Sequence, residues 1–212
     1  MEKFYTIIFA AGLGCFILAF VLSLVFPVIS LGEYTGMEYR DMESLTANPH
    51  PEFVELSTTF PEAFNEAFGT SEPTPAAYSE ALRLGRDLYV GQACWHCHSQ
   101  YVRPVSNEVE RFGPLSIAQE YNNALNQPHL WGTRRVGPDL ARENGKHTND
   151  WHIAHFMNPR NVVPNSVMPS YKYYFTENGT PKLKGFAILA YVQWLGRAYE
   201  ELPEEAKLST LR

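Results

Sequence analysis

The chain has 212 residues, 45% of them hydrophobic, and a formal net charge of −6. That length and composition suit one small domain carried on an anchor. The acidic balance, with no basic stripe, excludes a nucleic-acid interface.

The first element is apolar. Tyr5 to Leu31 carries no charged residue, and a helix of about 20 residues already crosses the hydrocarbon core of a bilayer. Pro27 sits near its far end, where it is tolerated. A cleaved signal peptide would show a shorter apolar core and a small-residue cleavage site, so the run reads as a retained transmembrane helix. Lys3 and the terminal amine are offset by Glu2, while the far side opens with Glu33, Glu38, Arg40 and Asp41. That balance favours an N-terminus on the inside.

From Gly32 to about Pro75 the chain is acidic and punctuated by proline, with Arg40 its only Lys or Arg. No sustained period runs through it, so it reads as a linker or insertion with one short helix around Pro61 to Ala67. A solvated spacer is the plain interpretation, and a docking surface for another subunit is the functional one. The expected division is an anchor over 1–31, a linker over 32–75 and a domain over 76–212.

A helix opens at Thr74-Pro75, proline being suited to a first turn. Its apolar face runs through Tyr78, Ala81, Leu82, Gly85, Leu88 and Tyr89 and delivers the chain to Cys94-Trp95-His96-Cys97-His98. Two cysteines three apart, followed at once by histidine, form the attachment signature of a c-type haem. In such a site Cys94 and Cys97 add across the porphyrin vinyl groups, and His98 is placed to ligate the iron. A zinc site would need a second ligand pair. Cys15 lies inside the apolar run, which leaves only the H-x-x-H of His152 and His155. A thioredoxin-like dithiol expects a βαβ context and makes no use of the neighbouring histidine. One covalent haem c is therefore expected. Such haem is attached on the outer side of the bacterial cytoplasmic membrane, which places the domain beyond the anchor in the periplasm.

The haem wrapping follows. Trp131 is a candidate packer at the haem edge, and Arg134 and Arg135 are candidates to pair with haem propionates, since guanidinium forks match carboxylates. In Gly137-Pro138-Asp139-Leu140, the Pro138 carbonyl is the candidate acceptor for the second imidazole N–H of His98, a bond that fixes the ring and tunes its basicity. For the sixth iron position a thioether is the usual electron-transfer ligand. Met37 and Met42 precede the attachment helix in the acidic stretch, which leaves Met157 and Met168. Met168 lies between Pro164 and Pro169 in an extended loop that can cross the haem face opposite His98. Met157 follows a helix containing Trp151 and His155, where packing is the ordinary role. Tyr171 is a second edge candidate, although core packing is the plainer role for both aromatics.

The last helix, Leu183 to Tyr199, repeats an apolar face through Phe186, Leu189, Ala190, Tyr191, Val192, Trp194 and Leu195. Small monohaem cytochromes pack their terminal helices across each other at a glycine, and Gly85 against Tyr191 is the candidate contact. The fold class expected is all-α, a single N-terminal transmembrane helix followed by a class I-like cytochrome c domain.

These residues resemble those of the monohaem subunit II of cbb3-type cytochrome c oxidases, the C-family haem-copper oxidases. The likeness runs from Gly85-Arg86-Asp87-Leu88-Tyr89 through Cys97-His98-Ser99-Gln100, Arg103-Pro104, Glu110-Arg111-Phe112-Gly113 and Ser116. It continues through Trp131-Gly132, Arg135, Gly137 to Arg142, Trp151-His152, His155, Asn158-Pro159-Arg160, Val163-Pro164, Ser166 and Met168-Pro169. The resemblance implies thioethers at Cys94 and Cys97 and iron ligation by His98 and Met168. It further implies an electron relay to the haem b of a catalytic haem b/copper subunit that reduces O2 to water, with a further cytochrome c subunit feeding electrons in. The acidic stretch over 32–75 is longer than the link usual in that family.

Three function classes stand beside one another at this stage. An oxidase electron-transfer subunit is favoured by the residues between Cys97 and Met168. The small subunit of a nitric oxide reductase is distinguished by non-haem iron rather than copper in its partner. A haem-based sensor or free-standing carrier is a third class, and a sensor would need an open iron position, which Met168 would close.

Overall fold

The computed structural model of the protein describes residues 2–30, 38–132 and 134–208. They fall into two units, one ending at Glu38 and the other beginning at Tyr39. Leu31, Gly32, Glu33 and Met37, on which parts of the sequence reading rest, lie outside the described residues.

The first unit holds helix α1 (Glu2–Ser30), 29 residues long and unburied by the rest of the chain across its most apolar window. At 1.5 Å per residue it extends roughly 43 Å, long enough for the hydrocarbon core. A π-helical turn over Val21–Val25 interrupts it. Pro27 accounts for that turn, because a proline ring clashes with the carbonyl four residues earlier, here that of Ser23.

The second unit is built of helices joined by loops, with no strand among the described residues. Its helices are α2 (Met42–Thr46), α3 (Pro51–Thr59), α4 (Pro61–Phe68), α5 (Pro75–Gly91), α6 (Glu108–Phe112), α7 (Asn149–Met157), α8 (Leu183–Trp194), α9 (Arg197–Glu200) and α10 (Glu204–Leu208). Thr74 caps α5 by accepting from the Ala77 N–H, and Pro75 takes the first turn. The buried face of α5 crosses α8, which is buried from Gly185 to Trp194, and this is the most extensive helix contact in the unit. Gly85 makes the crossing feasible. A Cβ there would lie 2.1 Å from the Ala187 carbonyl oxygen and 2.6 Å from Tyr191 Cβ, so only hydrogen fits.

The last helix is shorter than the apolar run to Tyr199 suggested. It ends at Trp194, Gly196 takes φ +103°, and the chain restarts as α9. A Cβ on Gly196 would sit 3.0 Å from the Ala141 carbonyl oxygen and 3.1 Å from Arg142 Cα. The break thus lets the backbone pass closely against the loop that follows Pro138.

The acidic stretch departs from the spacer reading. The short helix expected around Pro61 is present as α4, but α2 and α3 precede it, and all three contribute to the core. Phe53 and Phe64 are 0% exposed, and the Phe64 ring meets Phe186 of α8 at 5.4 Å while Phe53 meets Tyr78 of α5 at 5.1 Å. His50 fastens the segment: its Nδ1 accepts from the Phe53 N–H at 2.9 Å, capping α3, and its Nε2–H donates to the Ala190 carbonyl at 3.1 Å. Burial pushes His50 down to about 4, which keeps the ring neutral and both roles filled. The apolar positions Phe53, Leu56, Phe60, Phe64 and Phe68 do follow helical spacing. Pro61 splits them between two helices of nine and eight residues, too short for either to carry a visible period.

Deleting a fully buried phenylalanine ring costs about 3–5 kcal/mol. Phe53→Ala is therefore expected to lower the unfolding free energy of the detergent-solubilised protein by that amount, read as a lower denaturant midpoint at unchanged slope. An unchanged midpoint would restore the spacer reading.

Candidate functional site

The haem motif is reached through a strained turn. The Gln92 N–H closes α5 on the Leu88 and Val90 carbonyls, and Ala93 takes a left-handed conformation, φ 57° and ψ 31°. For a residue with a Cβ this costs about 1–2 kcal/mol. It turns the chain into the 3-10 turn Cys94–His96, and the His98 N–H bonds the Cys94 carbonyl at 2.9 Å. Both motif thiols are unpaired, Cys97 exposed and Cys94 half-buried. Burial pushes the Cys94 thiol up to about 11, opposed by a hydrogen bond from the Tyr171 hydroxyl. Tyr171 therefore meets the motif itself.

On the other side of the motif, His98 Nδ1–H donates to the Pro138 carbonyl at 2.9 Å. That acceptor assigns the tautomer and leaves Nε2 as the lone-pair nitrogen. Burial depresses His98 below the ordinary histidine value, favouring the neutral form that ligates metal. The ring occupies space that only glycine leaves open: a Cβ on Gly137 would fall 2.3 Å from His98 Cε1 and 2.9 Å from Nε2. Gly132, at φ +64°, likewise lets the backbone pass under the motif, since its Cβ would lie 2.9 Å from the Trp95 carbonyl oxygen.

Asp139, 3% exposed, fixes the loop that carries Gly137 and Pro138. Its Oδ2 accepts from Ser99 Oγ at 2.5 Å, from the Tyr101 N–H at 2.9 Å and from Arg135 Nη2 at 3.2 Å, and its Oδ1 accepts from the Ala141 N–H at 2.8 Å. Arg135 also donates to Ser99 Oγ, the Tyr101 carbonyl and Glu108. Its guanidinium thus turns inward onto this layer. Arg134 is exposed beside it. Below this layer, Arg142 forks onto Glu120 at 2.7 and 3.1 Å and lies 4.1 Å over the Tyr199 ring.

Opposite, the Met168 loop is pinned to α7. The Tyr171 N–H donates to the Phe156 carbonyl at 2.7 Å and Ser170 Oγ to the Met157 carbonyl at 2.5 Å. Met168 Sδ lies 3.0 Å from His155 Nε2. Burial pushes His155 down to about 4. His152 instead faces Glu143, whose Oε1 lies 3.7 Å from both His147 Nε2 and His152 Nε2. The H-x-x-H pair therefore points at two different partners. Met157 packs against the hydrophobic core, the role expected of it. Trp131 is 43% exposed and stacks on His129 at 4.7 Å.

The donor set fits a c-type haem: two free thiols, an imidazole with Nε2 unengaged and a thioether on a tethered loop, with glycine clearing room at the imidazole. Sequence reasoning passed over Ser99, Glu108, Asp139 and the contact of His155 with Met168. The signal for Asp139 was available, an acid directly after a proline in a tight loop; nothing in the spacing pointed to Glu108.

Residues 59–209 match the family described as cytochrome c oxidase, mono-heme subunit/FixO, a span that includes every site residue above. None of the curated proteins compared with the chain matches it.

Burial alone would raise the Glu108 carboxyl, but hydrogen bonds from Arg135 and Arg103 hold it down to about 2. A depressed carboxylate stabilises the fold above its ordinary value of 4.5, and the contribution is lost as pH falls toward 2. Glu108→Gln is expected to unfold at lower denaturant than the wild type near neutral pH. The two curves should converge as pH approaches about 2, measured by denaturant titration across that range.

Proposed function

The chain belongs to the mono-haem FixO subunits of cytochrome c oxidase, and on that premise we propose that it relays electrons through one covalently held haem c. The acceptor is the haem b of a catalytic haem b/copper subunit, where O2 is reduced to water in aerobic respiration. The observation that carries the reading is His98, tied through Nδ1 to Pro138 at 2.9 Å and presenting Nε2 from the motif that supplies both thiols.

When bound, haem c supplies one-electron exchange at its iron. Cys94 and Cys97 would hold it through thioethers, and His98 Nε2 and Met168 Sδ would supply its iron ligands. Pro138 keeps the imidazole in one tautomer and one orientation. Tyr171 stands near Cys94 and ties the Met168 loop to α7 through its N–H on the Phe156 carbonyl. Trp131 and Arg134, both exposed, serve the macrocycle edge and a propionate. With His98 and Met168 both engaged, the iron would keep no position for oxygen, which suits transfer alone.

The apolar α1 supports placement in the bacterial cytoplasmic membrane as a single-pass anchor, with the haem domain on the periplasmic side. A further cytochrome c subunit is a candidate donor. The test is purification from mild-detergent membranes with haem typing and metal analysis. Haem c with haem b and copper is the expected result. Haem b with non-haem iron would move the chain to a nitric oxide reductase, and haem c alone would leave a membrane-anchored carrier.

Met168→Ala is expected to retain covalent haem and to lower its reduction potential, because thioether ligation favours reduced iron. The check is a redox titration together with loss of the near-infrared sulfur-to-iron band. Cys97→Ser is expected to leave at most one thioether and poorly assembled protein, read by haem staining after denaturing electrophoresis.

A further inference from the structure

Met168 does not present a bare thioether. Its sulfur lies 3.0 Å from His155 Nε2, and three further observations fix which hydrogen that nitrogen carries and how firmly it is held. First, His155 Nδ1 is buried and has no hydrogen-bond partner among the described residues. A proton on Nδ1 would be a buried unsatisfied donor, which is costly, whereas a bare Nδ1 lone pair is the lesser penalty. A thioether sulfur can only accept, so the single N–H of the neutral ring sits on Nε2, facing sulfur. Second, the imidazole plane is set by stacking: Trp151 lies parallel to it, 9° off and 4.7 Å away, and His147 covers the far face of Trp151 at 3.8 Å. Third, the Met168 loop is bonded to the backbone of α7 just beyond the contact, Tyr171 to Phe156 and Ser170 to Met157. Neither partner is free to drift from the other.

We propose that His155 is a positioning residue for the Met168 thioether, its Nε2–H donating to one sulfur lone pair so that the other is aimed at the iron. The inference rests on Met168 as an axial ligand. A thioether has two lone pairs, and engaging one fixes the direction of the second. The hydrogen bond also withdraws electron density from sulfur, which weakens its support of oxidised iron and raises the potential, a tuning of the kind exerted by groups that bond to metal ligands. His155 thus sets both where the sulfur points and how strongly it donates.

The test uses the intact membrane complex with haem c attached, confirmed by haem staining. His155→Phe keeps a ring on Trp151 but has no N–H, while His155→Gln keeps an N–H donor without the imidazole. The expected result is a lower reduction potential and a shifted near-infrared sulfur-to-iron band in His155→Phe, with both recovered toward the wild type in His155→Gln. Unchanged potential and band in both variants would overturn the proposal. Equal changes in both would overturn it as well, assigning the effect to packing rather than to the donated hydrogen. Met168→Ala separates the two levels: a band that survives in it would remove Met168 as ligand and the inference with it, whereas a band lost there but indifferent to His155 would remove the inference alone.

Discussion

The buried Asp139 carboxylate accepts from four donors, and the position of the imidazole at the motif follows from that arrangement. Ser99 and Tyr101 come from the strand of chain leaving the motif, and Arg135 and Ala141 from the loop that passes the imidazole. Joining them through one acid sets the distance between His98 and Pro138, which in turn assigns the histidine tautomer. A charge so buried is tolerable only because Arg135 and two backbone N–H groups answer it. Glu108 shares that arginine, so the charges form a connected layer rather than an isolated pair.

Around this layer, the helix crossing at Gly85 sets the scale of the domain. Because the backbones of α5 and α8 come within contact there, α5 runs past the core to an exposed end at Val90 and Gly91, just before Cys94. The aromatic rings of α3 and α4 fill the far side of the same crossing, against Phe186 and Tyr78. The motif end is thus supported by polar bonds and the opposite end by apolar contacts.

Much of this was legible from residues whose role is local. The haem motif, the Thr74 cap, the Gly85 crossing and the proline-bounded Met168 loop each announce themselves within a few positions. The core role of residues 42–68 did not, because prolines at 51 and 61 cut its apolar spacing into pieces and acidic residues surround it. The inward bonds of Arg135 were hidden for a different reason. Its outward or inward direction depends on Glu108, 27 positions earlier, a pairing that no local pattern contains. The Met168 contact with His155 is likewise a meeting of a helix and a loop, invisible until both are folded.

The His50 bond to Ala190 spans 140 positions of sequence, and it bears on the order of assembly. Contacts of such separation form late, since the intervening chain must be ordered before they contribute. As the chain emerges, α2 to α4 can meet α5 through Tyr78, but Phe64 and His50 lack their α8 partners until that helix follows, and the motif lies between α5 and α8. A polypeptide whose core closes with its last long helix keeps Cys94 and Cys97 accessible through most of its assembly, and completes its aromatic interior only at the end.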